Sequence, residues 1–234
     1  MNALLRAESI SKQFSGVKAL NDVSVEFNRH EITAVIGPNG SGKSTLFNVL
    51  AGDLKPTAGR VHFLGQDVTR VPNYKRVRRG LVRTFQESST FPDLTVRENL
   101  VIAAQSTRRP QPTADVLELC SLQDDVNFVA GDLPYGKTKL LGIAMSMMTS
   151  PDLLLLDEPA AGISAEETEA LSSAILAVRE AGMTVALIDH NVGFILPLSD
   201  RVYALDAGAV VASGTADEVQ ANIDVISSYL GAPR

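Results

Sequence analysis

The nine residues "GPNGSGKST", Gly37 to Thr45, constrain the fold of this chain more than any other stretch. They match the spacing G-x-x-x-x-G-K-[ST], follow the apolar run "EITAVI" and precede the helical pattern "TLFNVLAG". In that setting glycines let backbone amides curl around a phosphate, and the start of the helix adds the positive end of its dipole. Asn39, Gly40, Ser41, Gly42 and Thr45 belong to this cradle, Lys43 would reach the outer phosphates, and the Ser44 hydroxyl would ligate Mg2+. A loop of this kind needs a buried strand behind it and a helix in front, which commits the chain to an α/β fold.

Three further apolar runs read as strands of the same sheet: "DLLLLDE" (152 to 158), "MTVALID" (183 to 189) and "RVYALDAG" (201 to 208). Runs apolar at consecutive positions suit a parallel sheet covered on both faces. Helix starts are marked by capping boxes at Thr95 with Glu98, Ser164 with Glu167 and Thr215 with Glu218, and Gly182 is the expected stop after "EALSSAILAVREA". The alternating N-terminal segment predicts antiparallel strands at the edge of the core. Residues 88 to 150 lack clear β runs, carry the linker "STRRPQPTAD" and turn helical in "VLELCSLQDD" and "KTKLLGIAMSMM". The expected organisation is therefore a single domain, 1 to 234. Its α/β core comprises 1 to 87 and 151 to 234, with a helical subdomain inserted over 88 to 150.

"LLLLDEP", Leu153 to Pro159, places two carboxylates at the end of a buried strand. Asp157 would hold Mg2+ through water, and Glu158 would polarise an attacking water, because loose phosphoryl transfer needs positioning more than covalent help. The 27 acidic residues outnumber the 21 basic ones, a net charge of −6 that argues against broad binding to nucleic acid or an anionic membrane. The single cysteine, Cys120, excludes an internal disulfide, and the start lacks a secretion-signal pattern, so a cytoplasmic location is expected. No uncharged apolar stretch reaches the roughly 18 residues that would span a bilayer.

With these residues in hand, the chain resembles the nucleotide-binding subunits of ABC transporters over nearly its whole length. The resemblance implies ATP as the nucleotide and a P-loop NTPase core with a mostly parallel sheet, an N-terminal antiparallel β subdomain and an inserted helical subdomain. It implies that Phe14 in "SKQFSGVKAL" stacks on adenine, and that Gln86 in "VRTFQES" contacts the metal and reports to a membrane partner. His190 in "ALIDHNV" would contact the γ-phosphate. Glu158, His190 and Lys43 are then the catalytic group, and Ser44, Gln86 and Asp157 the metal set. His30 and His62 receive no role. Within the family, "VRTFQ", "DEPAAGIS" and "DEVQANIDVISSYLG" look most like importers of branched-chain amino acids and related amides, including urea.

The family's signature, roughly Leu-Ser-Gly-Gly-Gln, closes over the γ-phosphate of the nucleotide held by the opposite subunit. Here "LPYGK", Leu133 to Lys137, fills those places, so Tyr135, Gly136 and Lys137 are the implied ligands. Pro134 offers neither hydroxyl nor N–H, yet suits the first turn of a helix. Lys137 either presents a cation to the phosphate or faces solvent, and Ser164 is explained as a helix cap. The implied partners are a second ABC ATPase subunit, identical or not, two transmembrane permeases and, indirectly, a periplasmic or surface solute-binding protein. The permeases would dock near Gln86 through exposed Phe91 and Leu94, placing the chain on the cytoplasmic face of the membrane. The basic run "YKRVRRGLVR" is expected to be a solvated helix face. A soluble ABC ATPase acting on DNA or ribosomes would normally carry a coiled-coil insert or two ATPase halves, and a non-hydrolysing nucleotide sensor would lack Glu158 or His190.

Overall fold

The structure, a computed structural model, describes residues 3–84, 90–107 and 110–222. Strands β1 (Ala3–Phe14) and β2 (Val17–Asn28) form an antiparallel hairpin. β3 (Ile32–Ile36) runs into the phosphate loop, and α1 (Lys43–Ala51) leaves it. β4 (Ala58–Phe63) and the short β5 (Gln66–Asp67) return to the first sheet, which is antiparallel in the order β2-β1-β4-β5. The short helix α2 (Asn73–Val77) leads to β6 (Leu81–Arg83). Helices α3 (Val96–Ala104), α4 (Thr113–Leu119) and α5 (Tyr135–Met147) follow before β7 (Leu153–Asp157). The chain continues through α6 (Ala165–Glu180), β8 (Thr184–Ile188), the short α7 (Val192–Ile195), β9 (Arg201–Asp206), β10 (Ala209–Gly214) and α8 (Ala216–Gln220).

The second sheet has the order β10-β9-β3-β8-β7-β6 and is parallel apart from β10. Its central strands β3, β7 and β8 are buried at every position because both faces are covered, and alternate side chains enter different cores. In β7, Leu153 and Leu155 pack with Phe47 of α1 and Phe27 of the antiparallel sheet. Leu154 and Leu156 point the other way, into a core shared with Met147 of α5 and Ile175 of α6. The carboxyl ends of β3, β7 and β8 therefore lie side by side, the position at which open α/β sheets bind ligands.

The three expected capping boxes form, each with both reciprocal hydrogen bonds. Gly182 follows α6 with φ +90° and donates its N–H to the Arg179 carbonyl at 2.9 Å. Some features escape the sequence reading. β4, which lies between β1 and β5, and the edge strand β10 are half-exposed and interrupted by alanine and glycine, so they lack the continuous apolar run that marks the central strands. The expected helix "VLELCSLQDD" stops after Leu119, where Ser121 adopts φ +53°, and a 3-10 turn over Gln123–Asp125 follows.

The basic run "YKRVRRGLVR" is solvated at Lys75, Arg78 and Arg79 but not throughout. Arg76 is 1% exposed. Its Nη1 donates to the carbonyls of Val49 and Leu50 at 2.9 and 2.6 Å, its Nη2 to Val68 at 2.6 Å, and its Nε to Val71 at 2.8 Å. Val49 and Leu50 lie in the last turn of α1, where carbonyls lack helical partners, so Arg76 closes from a distance the helix that the phosphate loop begins. Burial pulls its pKa down to about 10, which leaves it charged at neutral pH. Replacing Arg76 by Met strands these carbonyls in the interior. We expect a loss of about 3 kcal/mol, seen in thermal unfolding as a fall in Tm of about 6 to 12 °C for a chain of this size.

Candidate functional site

The loop from Gly37 to Gly42 takes its shape from its residue types. Ser41 N–H donates to the Pro38 carbonyl at 3.1 Å, and Gly208 N–H donates back to the Ser41 carbonyl at 3.0 Å, which ties the loop to the β9–β10 turn. Gly42 caps α1 with φ +106°, and a Cβ there would stand 2.7 Å from the Ala19 carbonyl oxygen, so only glycine fits. Lys43 is buried, and its Nζ donates to the carbonyls of Gly37 and Pro38 at 2.7 and 3.1 Å. Burial lowers its pKa below the ordinary lysine range, opposed by the negative charges of Glu158, Asp157 and Asp189. The Ser41 hydroxyl is buried without a hydrogen-bond partner among the described residues. An orphaned hydroxyl, a retracted ammonium and a helix start fit a phosphate group. Asn39, Gly40 and Ser44 are exposed and Thr45 is half-buried at the mouth of the same cradle.

The ends of β7 and β8 bring the acidic residues to this loop. Asp157 is buried, and Arg83 at the end of β6 forms an ion pair with its Oδ2. Glu158 sits at φ +47°, a left-handed conformation that costs a non-glycine residue energy, and its N–H is held by the Ile188 carbonyl at 2.8 Å. His190 is largely exposed, with Nδ1 at 3.9 Å from Glu158 Oε2 and 3.5 Å from Asp189 Oδ1. Asp189 is completely buried and accepts from the backbone N–H groups of Ala160 and Asn191 at 3.1 and 2.9 Å, so one carboxylate braces the turns that carry Glu158 and His190. The structure thus brings Lys43, Asp157, Glu158 and His190 together. Asp189 and Arg83 belong to this neighbourhood and were not singled out from the sequence, although "LID" and "VRTFQ" end apolar runs as "LLLLDE" does. Phe14 lies at the end of β1, exposed, with Lys12 Nζ 4.9 Å from its ring centroid. Gln86 lies outside the described residues, as do residues 85 and 87 to 89 around it.

The segment "LPYGK" starts α5. Pro134 is the N-cap residue, one place before the first turn expected for it, because its extended ψ of 148° turns the chain into the helix. Tyr135 is exposed, with its ring against Gly162: a Cβ at that glycine would lie 3.2 Å from the tyrosine Cε1. Gly136 N–H donates to Glu167 Oε1 at 2.8 Å, while Glu167 Oε2 accepts from Ser164 N–H at 2.8 Å. The amides of Ser164 and Gly136 hold the Glu167 carboxyl below its usual pKa. Lys137 is neither free in solvent nor aimed outward, since its Nζ donates to both oxygens of Asp125 at 2.7 Å. Between β6, α3 and α5 lies an apolar cleft of about 490 Å3, walled by Val82, Phe91, Ile102, Ile143 and Met145, with Arg83 and Asp157 at its base. Asn99 holds the Phe91 backbone from both sides, at 2.7 and 3.0 Å, which presents that ring to the cleft, whereas Leu94 is half-buried.

A phosphate cradle and paired carboxylates at the carboxyl ends of a parallel sheet define a P-loop nucleoside triphosphatase. The sequence matches the ABC transporter family over residues 20–161, and the chain belongs to that family as an ATPase. Over 97% of its length it is 36% identical to the high-affinity branched-chain amino acid transport ATP-binding protein BraF of Pseudomonas aeruginosa, covering 98% of that protein. It is 37% identical, with the same shares covered, to LivG of Escherichia coli, another protein of that description. Among solved structures, an ATP-binding cassette of an ABC transporter in its ADP conformation matches with a TM-score of 0.89 at 32% identity, over 99% of this chain and 100% of the other. A nucleotide-free cassette matches with a TM-score of 0.87 at 32% identity, over 98% and 99%.

Because the Lys137 side chain is 41% exposed, its pair with Asp125 contributes no more than about 1 kcal/mol. A double-mutant cycle of Lys137→Ala and Asp125→Asn, read by denaturant unfolding, should give a coupling energy in that range. A coupling of zero would return Lys137 to the pool of groups available to a second subunit.

Proposed function

We propose that this chain is the ATP-hydrolysing motor subunit of an importer for branched-chain amino acids or related amides. The observation that carries the reading is the end-to-end similarity to BraF and LivG, whose names state that role. The site supports it, because the groups needed to bind a nucleotide and activate water converge at one edge of the sheet. In this reading Phe14 stacks on the adenine and the loop from Gly37 to Thr45 cradles the phosphates. Lys43 leaves the carbonyls of Gly37 and Pro38 for phosphate oxygens, a stronger charge-assisted partner.

Ser44 and Asp157 are oxygen donors suited to Mg2+, and Gln86 would join them. When bound, Mg2+ neutralises charge on the outer phosphates. Glu158 orients and deprotonates the attacking water, and His190, with Nδ1 facing Glu158 and Asp189, stabilises the γ-phosphate. Tyr135 and Gly136, and Lys137 once released from Asp125, would close over the nucleotide of a second ABC ATPase subunit, identical or not, so each chain needs a partner to complete its site. For Gly136 this requires exchange of the Glu167 carboxylate for phosphate. Two permeases would dock in the apolar cleft, with a solute-binding protein acting beyond them and the chain lying peripherally on the cytoplasmic face. No described helix is long and apolar enough to cross a membrane.

The test is ATP turnover by the complete transporter, assembled with its permeases and stimulated by leucine, isoleucine or valine. Glu158→Gln should lower that turnover by roughly 10²–10⁴ while nucleotide binding persists. Normal hydrolysis by the variant would remove Glu158 from the role of base, and turnover indifferent to all three amino acids would remove them as cargo.

A further inference from the structure

We infer that Arg83 is a positioning residue for the metal side of the nucleotide site, an inference that rests on the reading above. Arg83 lies at the carboxyl end of β6, with a side chain only 10% exposed. Its guanidinium reaches three elements at once. One Nη2–H binds Asp157 Oδ2 at the end of β7. Nη1 donates to Asn48 Oδ1 on α1 at 2.6 Å and to Asp53 Oδ2, in the turn after α1, at 3.2 Å. α1 is the helix that leaves the phosphate loop, and β7 carries the carboxylates, so one rigid fork sets the spacing between the phosphate-binding and metal-binding halves of the site.

The pairing also leaves a division of labour on Asp157. Its Oδ2 is taken by the guanidinium, while Oδ1 has no hydrogen-bond partner among the described residues and is the atom that would face a cation or its water shell. A buried carboxylate needs such a partner, and Lys43 is a cation that already feels the charge of Asp157. Without Arg83, Asp157 would turn toward Lys43 and away from the metal position. Groups that hold a metal-directed carboxylate commonly set metal affinity through its orientation, by 10- to 100-fold. Lysine cannot substitute fully, since its ammonium lacks the planar fork that reaches Asn48 and Asp157 together.

The experiment measures binding of a fluorescent ATP analogue to the purified chain, with Mg2+ and with excess EDTA, and compares the gain in affinity that Mg2+ provides. Arg83→Met should reduce that gain by about tenfold, Arg83→Lys should reduce it less, and Asn48→Ala should move it in the same direction. Asp53→Asn, at the edge of the fork, should leave it unchanged. Thermal unfolding of each variant reports folding, and should Arg83→Met not fold, Arg83→Lys and Asn48→Ala carry the test. Equal losses with Mg2+ and with EDTA, or no loss in either, would overturn the positioning role. A wild-type chain with no Mg2+-dependent gain would instead overturn the proposed motor function itself, so the two failures are distinguishable.

Discussion

Burial of one ammonium within the electrostatic reach of three carboxylates, at the carboxyl end of a sheet covered on both faces, is the condition on which the rest of this structure depends. Lys43 loses hydration where the loop encloses it, and Asp157, Glu158 and Asp189 supply the compensating charge. Carboxylates gathered at one end of a sheet need partners of their own. Arg83 takes Asp157, backbone amides take Asp189, and a backbone bond with a strained dihedral sets the direction of Glu158. The parallel sheet makes this possible by delivering the ends of β3, β7 and β8 in register, Val35 beside Ile188 and Ile188 beside Asp157.

That sheet was largely legible in the sequence, for a physical reason. A strand buried on both faces must be apolar at consecutive positions, and few other segments of this chain are. The phosphate loop was legible because its glycines answer to backbone geometry, and the capping boxes because they are local. What stayed hidden depends on distance. Nothing local distinguishes Arg76, which reaches α1 from about 26 positions away in sequence, from the exposed arginines beside it. Arg83 was hidden in the same way, inside a run whose charge pattern suggested solvent. Half-exposed strands such as β4 and β10 carry a diluted pattern, since one face needs no apolar side chain.

The cleft and the nucleotide site share a wall. Arg83 and Asp157 close the base of the apolar space between β6, α3 and α5, and the same two residues face the phosphate loop through Asn48 and the electrostatic field on Lys43. Anything that fills the cleft packs against the back of this ion pair.

The stretch "LPYGK" is best understood from what already binds it. A damaged helix start would leave its first amides unpaired. Here the Gly136 amide is met by Glu167, the tyrosine ring lies against Gly162, and Lys137 is neutralised by Asp125. Proline removes a donor where a helix has no internal use for one. Glu167 is the more informative partner, because its carboxylate joins the start of α5 to the start of α6 through Ser164. A carboxylate on a helix-start amide occupies the kind of position that a phosphate would. The segment is therefore satisfied within its own chain, and in the proposed dimer its engagement of a second subunit's nucleotide would be an exchange of one anion for another rather than the filling of an empty site.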